Sequence, residues 1–267
     1  MSLRDITKTE IIKHLKAVGI KENDHLLIHS ALHLLGRPEG GIGIYLDALL
    51  EIISEDGTIA VPTFCWDFAR GKKYDPSSTP SQNMGVFSEY VRTQKNAKRS
   101  THPLQSLSVI GKHQDRLVSI DTVDVFVPGS VFESMLGLDF KLLLLGAEIQ
   151  ASSMVHYSEQ RPPVPYRFWK TFDGDYKAGE NWEKRAYKMF VRDLDVDAKL
   201  VLKPIQTRLE ERGQWSSVKV NYGYIAAFTL EEFKQATDDL LAGDKWALIG
   251  NREEALTRFN EKIAGSK

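Results

Sequence analysis

Cysteine is nearly absent from this 267-residue chain: Cys65 stands alone, which excludes an intrachain disulfide and any metal site built from several cysteines. An excess of one charge is also lacking. With 35 Lys+Arg against 36 Asp+Glu the formal net charge is -1, without the basic surplus typical of a phosphate-backbone binder, so no nucleic-acid partner is expected. No apolar run approaches the ~20 residues needed to span a bilayer. The opening segment MSLRDITKTE holds no apolar stretch of the kind a secretory signal requires, so a cytoplasmic protein with no membrane association is expected. Repeats, low-complexity tracts and convincing linkers are missing too. What remains, with 42% hydrophobic and 10% aromatic residues, is enough to build a sizeable core, and one domain over residues 1–267 is the expected organisation.

The order of patterns predicts an α/β chain. Thr7 and Glu10 have capping-box spacing, and Ile11, Ile12, Leu15 and Val18 follow at helical intervals up to Gly19. The run His25 to His29 suits a buried strand. After a turn containing Gly36 and Pro38, the pair Gly40-Gly41 precedes a helical pattern through Ile44, Leu46, Leu49, Leu50 and Ile53. Asp56-Gly57 marks a turn into a strand over Thr58 to Val61. Residues 63–82 show no period, and a long irregular stretch in an otherwise compact chain is more often functional than idle. A helix is expected over Val86 to Val91 with Asn83 as cap, and strands over Leu107 to Ile110 and Lys141 to Leu145. Helical patterns return at Ser130 to Leu138, Leu200 to Glu210, Thr229 to Leu241 and Arg252 to Ile263; β-type alternation occupies Ala186 to Val191 and Val218 to Phe228. Such alternation predicts a layered mixed sheet flanked by helices.

Two segments are dense in chemistry. Ser152 to Glu159 (SSMVHYSE) follows the Leu142 to Leu145 strand, where catalytic groups of α/β folds gather beyond strand carboxyl ends. On a helix, His156 and Glu159 share a face, and a carboxylate beside an imidazole fixes its tautomer and raises its basicity. Arg99 to Ser106 (RSTHPLQS) gathers a guanidinium, three hydroxyls and an imidazole, suited either to an anion or carbonyl or to a polar turn fixed by Pro103. The loop from Gly36 to Gly41 precedes a helix but lacks the dinucleotide spacing, and no GxxxxGK[ST] occurs. Cys65, between Phe64 and Trp66, reads as a buried structural thiol, with a nucleophile as the alternative. His102, His113, His156 and Glu159 lack any metal-site spacing, so no metal is expected.

Taken in order, these pieces resemble the aminoglycoside 3-N-acetyltransferase family, an antibiotic acetyltransferase family distinct in fold from the GNAT acetyltransferases. The resemblance runs through His29-Ser30, Leu35-Gly36, Gly40-Gly41, Asp56-Gly57-Thr58, Pro62-Thr63-Phe64, Asp75-Pro76, Thr79-Pro80-Ser81, Met84-Gly85, Arg99-Ser100, His102-Pro103, Ser106, Leu143 to Gly146, and His156 with Glu159. It is continuous over about Leu26 to Arg167 and loose beyond, so residues 168–267 are read as family-variable additions packed on the core.

The resemblance implies acyl transfer from acetyl-CoA to an amine through a direct ternary complex. His29, Ser30, Gly36, Gly40, Gly41, Arg99, Ser100, His102 and Ser106 would line the coenzyme site. His156 would be the general base, with Glu159 orienting it or holding the acceptor; a backbone N–H near Ser30, or the hydroxyl of Ser106 or Ser153, would donate to the oxyanion. Asp67, Asp75 and Ser153 are the candidate acceptor contacts, within a wider acidic rim of Asp173, Asp175, Glu180 and Glu183. Two departures from the family pattern fall near the acceptor: Ser30-Ala31 replaces a serine pair, and Ser152-Ser153-Met154 replaces a stretch with an Asn or Asp four residues before the histidine. The balanced charge argues against a polycationic antibiotic and for a biosynthetic amino sugar. A catalytically eroded binding protein and a Cys65 acyl-enzyme are the alternatives. Trp182, Trp215, Tyr222, Tyr224 and Trp246 suit core packing, an acceptor wall or the face of a homodimer.

Overall fold

The computed structural model describes residues 4–265, so Met1, Ser2 and Leu3 of the segment read for a secretory signal lie outside the described residues. In chain order the elements are β1 (Asp5–Ile6), α1 (Lys8–Ala17), β2 (His25–Ser30), β3 (Arg37–Pro38), α2 (Gly43–Ile53), β4 (Thr58–Pro62), α3 (Gly85–Arg92), β5 (Lys98–Arg99), β6 (Leu107–Gly111), α4 (Gln114–Val118), α5 (Val131–Leu136) and β7 (Lys141–Leu145). They continue with α6 (Val155–Glu159), β8 (Arg167–Ala178), β9 (Asn181–Arg192), α7 (Lys203–Glu211), β10 (Ser216–Val220), β11 (Gly223–Thr229), α8 (Leu230–Gly243) and α9 (Arg252–Gly265). The expected capping box at α1 is present: the Glu10 N–H donates to the Thr7 hydroxyl and the Thr7 N–H to the Glu10 carboxylate.

Seven strands form one mixed sheet in the order β10-β11-β7-β2-β4-β6-β5. Alternate residues serve opposite faces. Leu27, Ala60, Leu142 and Leu144 pack with Phe132 of α5 and Phe233 of α8; Leu26, Ile28, Val61 and Leu143 pack with Leu15 of α1, Leu49 of α2 and Phe87 of α3. Because both faces are covered, β7 reads Lys-Leu-Leu-Leu-Leu without polar alternation. β10 and β11 bring residues beyond Arg167 into this sheet.

The topology also positions the site. β2 lies between β7 and β4 and is parallel to both, so Ser30, Leu145 and Pro62 end at one edge. The turns leaving that edge pack closely: Gly146 has φ +73°, and a Cβ there would sit 2.6 Å from the Ala31 carbonyl oxygen.

Several boundaries differ from expectation. Asn83 does not cap α3; it holds φ +60° in the preceding turn, and Met84 occupies the cap position without a side-chain bond. The helix expected from Leu200 begins at Lys203 as α7, because Leu200 bridges Ile249 and Pro204 favours a first turn. Val218 to Phe228 is two strands, divided where Asn221 takes φ +56°. β8 was not apparent from the sequence. It is mostly solvent-facing along its first half, and its hairpin with β9 packs mainly through Tyr176 and Tyr187 onto Cys65, Phe68, Tyr74 and Leu104.

Candidate active site

A cavity of about 610 Å³ opens at the carboxyl ends of the parallel strands. Its walls come from His29 to His33 at the end of β2 and just beyond, Pro62 at the end of β4 with Phe64 and Trp66 after it, Asn83 to Val86 at the start of α3, and Gln150 to Ser153, Val155 and His156 after β7, with Gln105, Met189, Leu200 and Leu202 closing it. A second cavity of about 290 Å³ shares Trp66, Gln105, His156 and Met189 with the first and continues to Phe126, Gln160, Arg167 and Phe190 to Arg192. His156 therefore stands where the two spaces meet.

The local chain explains that position. β7 ends in Gly146, a 3₁₀ turn over Ile149–Ala151 follows, and the one-turn helix α6 brings His156 and Glu159 onto one face. His156 Nδ1 lies 2.5 Å from Glu159 Oε2, leaving Nε2 as the free ring nitrogen. Glu159 is 0% exposed, and Arg167 Nε stands 2.9 Å from the same oxygen. Burial acts to raise the Glu159 carboxyl, but the hydrogen bond to His156 and the charge of Arg167 oppose it, and the group is held below its ordinary value and ionised. Burial first, then the Arg167 charge, lowers His156 below 6.5 against the opposing pull of Glu159. The imidazole is consequently neutral at neutral pH, the form a general base needs.

Four other predicted residues reach the cavities or their immediate support. His29, buried and held down to about 4 by desolvation, lines the larger cavity, and its Nε2 has no hydrogen-bond partner among the described residues. Ser30 borders the same space. The hydroxyls of Ser152 and Ser153 are buried on its wall and unpartnered among the described residues, whereas Met154 turns into the core.

The remaining candidates are not brought to these walls. Gly36 turns the chain so that Arg37 N–H reaches the Arg4 carbonyl and β3 pairs with β1; Gly40 and Gly41 continue that turn. Arg99 is consumed inside the fold, donating to the Thr63 and Thr79 carbonyls and to Ser106, while its guanidinium lies over the Tyr74 ring. Ser106 also donates to the Thr63 carbonyl, and Ser100 accepts from Leu107 N–H. His102 is buried edge-on to Tyr187 and depressed to about 4, chiefly by burial. This donor-rich segment fastens the irregular 63–82 loop to the sheet.

Asp67 pairs with Arg70 and Lys72, and Asp75 with Ser77 and Lys177, outside both cavities. Asp175 and Glu183 are likewise paired on the outer hairpin, with Lys184 and Arg185. Cys65 is buried away from the walls. His113 meets His25 at the amino end of β2, with 3.1 Å between Nε2 atoms, and not His156. No cluster of three or more potential metal ligands occurs among the described residues, and no helix among them is long and apolar enough to cross a membrane. Of the late aromatics, Trp246 joins the core, Trp215 and Tyr224 pack against it, and Trp182 and Tyr222 are exposed. Of the Arg99 to Ser106 segment, Gln105 does reach both walls. Sequence reasoning missed Met189, Arg167 and Arg192 as wall residues, since they converge from segments far apart in the chain; it noted Met84-Gly85 but not that α3 would open onto the cavity.

Residues 27–242 match the model of the aminoglycoside 3-N-acetyltransferase family. The SPbeta prophage-derived aminoglycoside N(3')-acetyltransferase-like protein YokD of Bacillus subtilis (strain 168) is 30% identical over 186 residues, covering 60% of this chain and 66% of that protein. The aligned chain thus spans slightly less than two thirds of that curated relative. The structure of AAC-IIIb in binary complex with CoASH superposes with a TM-score of 0.79 at 19% identity, covering 90% of this chain and 97% of that one. AAC-VIa bound to sisomicin superposes with a TM-score of 0.78 at 18% identity, over 90% and 98%. At these identities the structural likeness carries the fold.

Proposed function

The chain belongs to the aminoglycoside 3-N-acetyltransferase family, and from that premise we propose that it transfers the acetyl group of acetyl-CoA to an amine of an amino sugar or aminoglycoside within a ternary complex. The observation that carries this reading is the position of His156 at the junction of two cavities, backed by a buried carboxylate.

The larger cavity suits the pantetheine arm. Leu32, Phe64, Trp66, Met84 and Val86 supply apolar wall, while Ser152, Ser153 and His29 Nε2 offer buried polar atoms that protein groups leave unpaired. Amide groups of the arm would satisfy them. α3 opens onto this cavity, and its first N–H groups favour a phosphate oxygen. The acceptor would occupy the smaller cavity. As its nitrogen attacks the thioester carbonyl, the N–C bond forms, the C–S bond breaks, and His156 Nε2 takes the proton released by nitrogen. Glu159 keeps Nδ1 hydrogen-bonded and stabilises the imidazolium that results. Ser153, whose hydroxyl on the larger cavity's wall has no partner among the described residues, is a side-chain oxyanion donor, whereas Ser106 is tied to Thr63 and Arg99.

Replacing His156 by Ala tests the reading. Turnover should fall by about 10²–10⁴-fold, while calorimetry should show acetyl-CoA bound as tightly as before. Retained turnover would remove His156 from the chemistry, and an inactive wild type that binds acetyl-CoA would identify a repurposed binder.

A further inference from the structure

The acceptor chamber carries the wrong charge for a polycation. No Asp or Glu lines it among the described residues, whereas two arginines do, Arg167 and Arg192. These two stand directly opposite one another at the base of the β8–β9 hairpin, in register across the strands. Like charges placed so are unfavourable, and such a pair persists where something offsets it. Arg167 is partly answered: its Nε faces Glu159 and its Nη1 donates to the Phe190 carbonyl at 3.2 Å. Arg192 is exposed and has no carboxylate within ion-pair distance among the described residues.

The surrounding carboxylates are already engaged. Glu159 is shared by His156 and Arg167. Asp124 accepts from the Phe126 N–H and from Gln160. Asp193 and Asp195, beside Arg192 in the neighbouring cavity, are both held by Lys262. A polycation entering here would meet an unanswered guanidinium and find no free carboxylate on the wall. An anion would meet planar donors suited to bidentate binding of carboxylate or phosphate.

We propose that the acceptor amine belongs to a molecule that also bears an anionic group, a carboxylate or a phosphate, held by Arg192 with support from Arg167 while the amine faces His156. This deepens, and rests on, the acetyl-transfer reading above. Trp66 and Phe126 on the same walls would pack against the uncharged ring of such an amino sugar.

The test compares initial rates with acetyl-CoA for four amines, glucosamine, its 6-phosphate, its 6-carboxylate and gentamicin, on the wild type and on Arg192→Gln. One anionic amine should exceed glucosamine and gentamicin in kcat/KM by about tenfold or more, and Arg192→Gln should erase most of that ratio through KM. Whichever of the two anionic arms responds identifies the group. Equal or greater turnover of glucosamine or gentamicin overturns the proposal, as does a ratio unchanged in Arg192→Gln. Calorimetric binding of acetyl-CoA without turnover of either anionic amine also overturns it alone, whereas failure of the wild type to bind acetyl-CoA overturns the acetyl-transfer reading itself.

Discussion

His156 and Glu159 form a pair whose two members perturb each other in opposite senses. Glu159 favours the protonated imidazole, while burial and Arg167 disfavour it, and the balance leaves His156 below 6.5. In the proposed reaction the base must be unprotonated, so kcat should rise with pH through the depressed value and level off above it, giving an acid limb with its midpoint under pH 6.5. Replacing Glu159 by Gln removes an anion that stabilises imidazolium and leaves the Arg167 charge unopposed. The imidazole pKa should fall further, so the limb should move to lower pH, and the plateau should drop by about 10–100-fold because the base is weaker and less well oriented. A pH–rate profile of the variant checks this; a limb displaced to higher pH would contradict the assigned electrostatics. The pair itself was legible in the sequence because three-residue spacing on a helix is a local property. Arg167 was not, since it arrives from a strand beyond the helix and reveals its role only when β8 starts beside α6.

α3 joins the fold to the site through its first residue. Gly85 takes φ +83°, and a Cβ there would stand 3.2 Å from the Ser30 carbonyl oxygen, so glycine permits both the left-handed turn and the close approach of helix to strand. Gly85→Ala should destabilise the protein by about 1–2 kcal/mol and, by pushing the α3 N-terminus away from β2, raise KM for acetyl-CoA more than it lowers kcat. Denaturant melts with kinetics would check both, and an unchanged KM would detach the helix terminus from coenzyme binding. Elements with strong local signals were readable: the capping box at α1, the helical pattern of α8, the leucine run of β7 and the strands β2 and β4. The β8–β9 hairpin was half hidden, because outward-facing residues along β8 dilute the alternation that a strand packed on a core would show. The Gly36 to Gly41 turn is ambiguous in the sequence for a different reason. Its glycines serve the pairing of β1 with β3, and composition alone does not distinguish a turn that frees N–H groups for a ligand from one that spends them on another strand.

At the scale of the whole molecule, the candidate site lies where three parallel strands release their chains at one edge, between helical layers packed on both faces of the sheet. That architecture followed from the order of apolar runs, while the division into two communicating cavities did not, because it depends on segments as distant as Trp66, His156 and Met189 meeting in space. The balanced composition proves more informative locally than globally: acidic residues are abundant, yet those nominated for an acceptor rim are absent from the chamber walls. In the proposed reaction the two chambers that meet at His156 hold donor and acceptor together. Initial rates measured while acetyl-CoA and an accepted amine are both varied should give intersecting double-reciprocal lines, with no acetyl label retained on the denatured protein. Parallel lines, with label recovered on Cys65, would contradict direct transfer and the role assigned to His156.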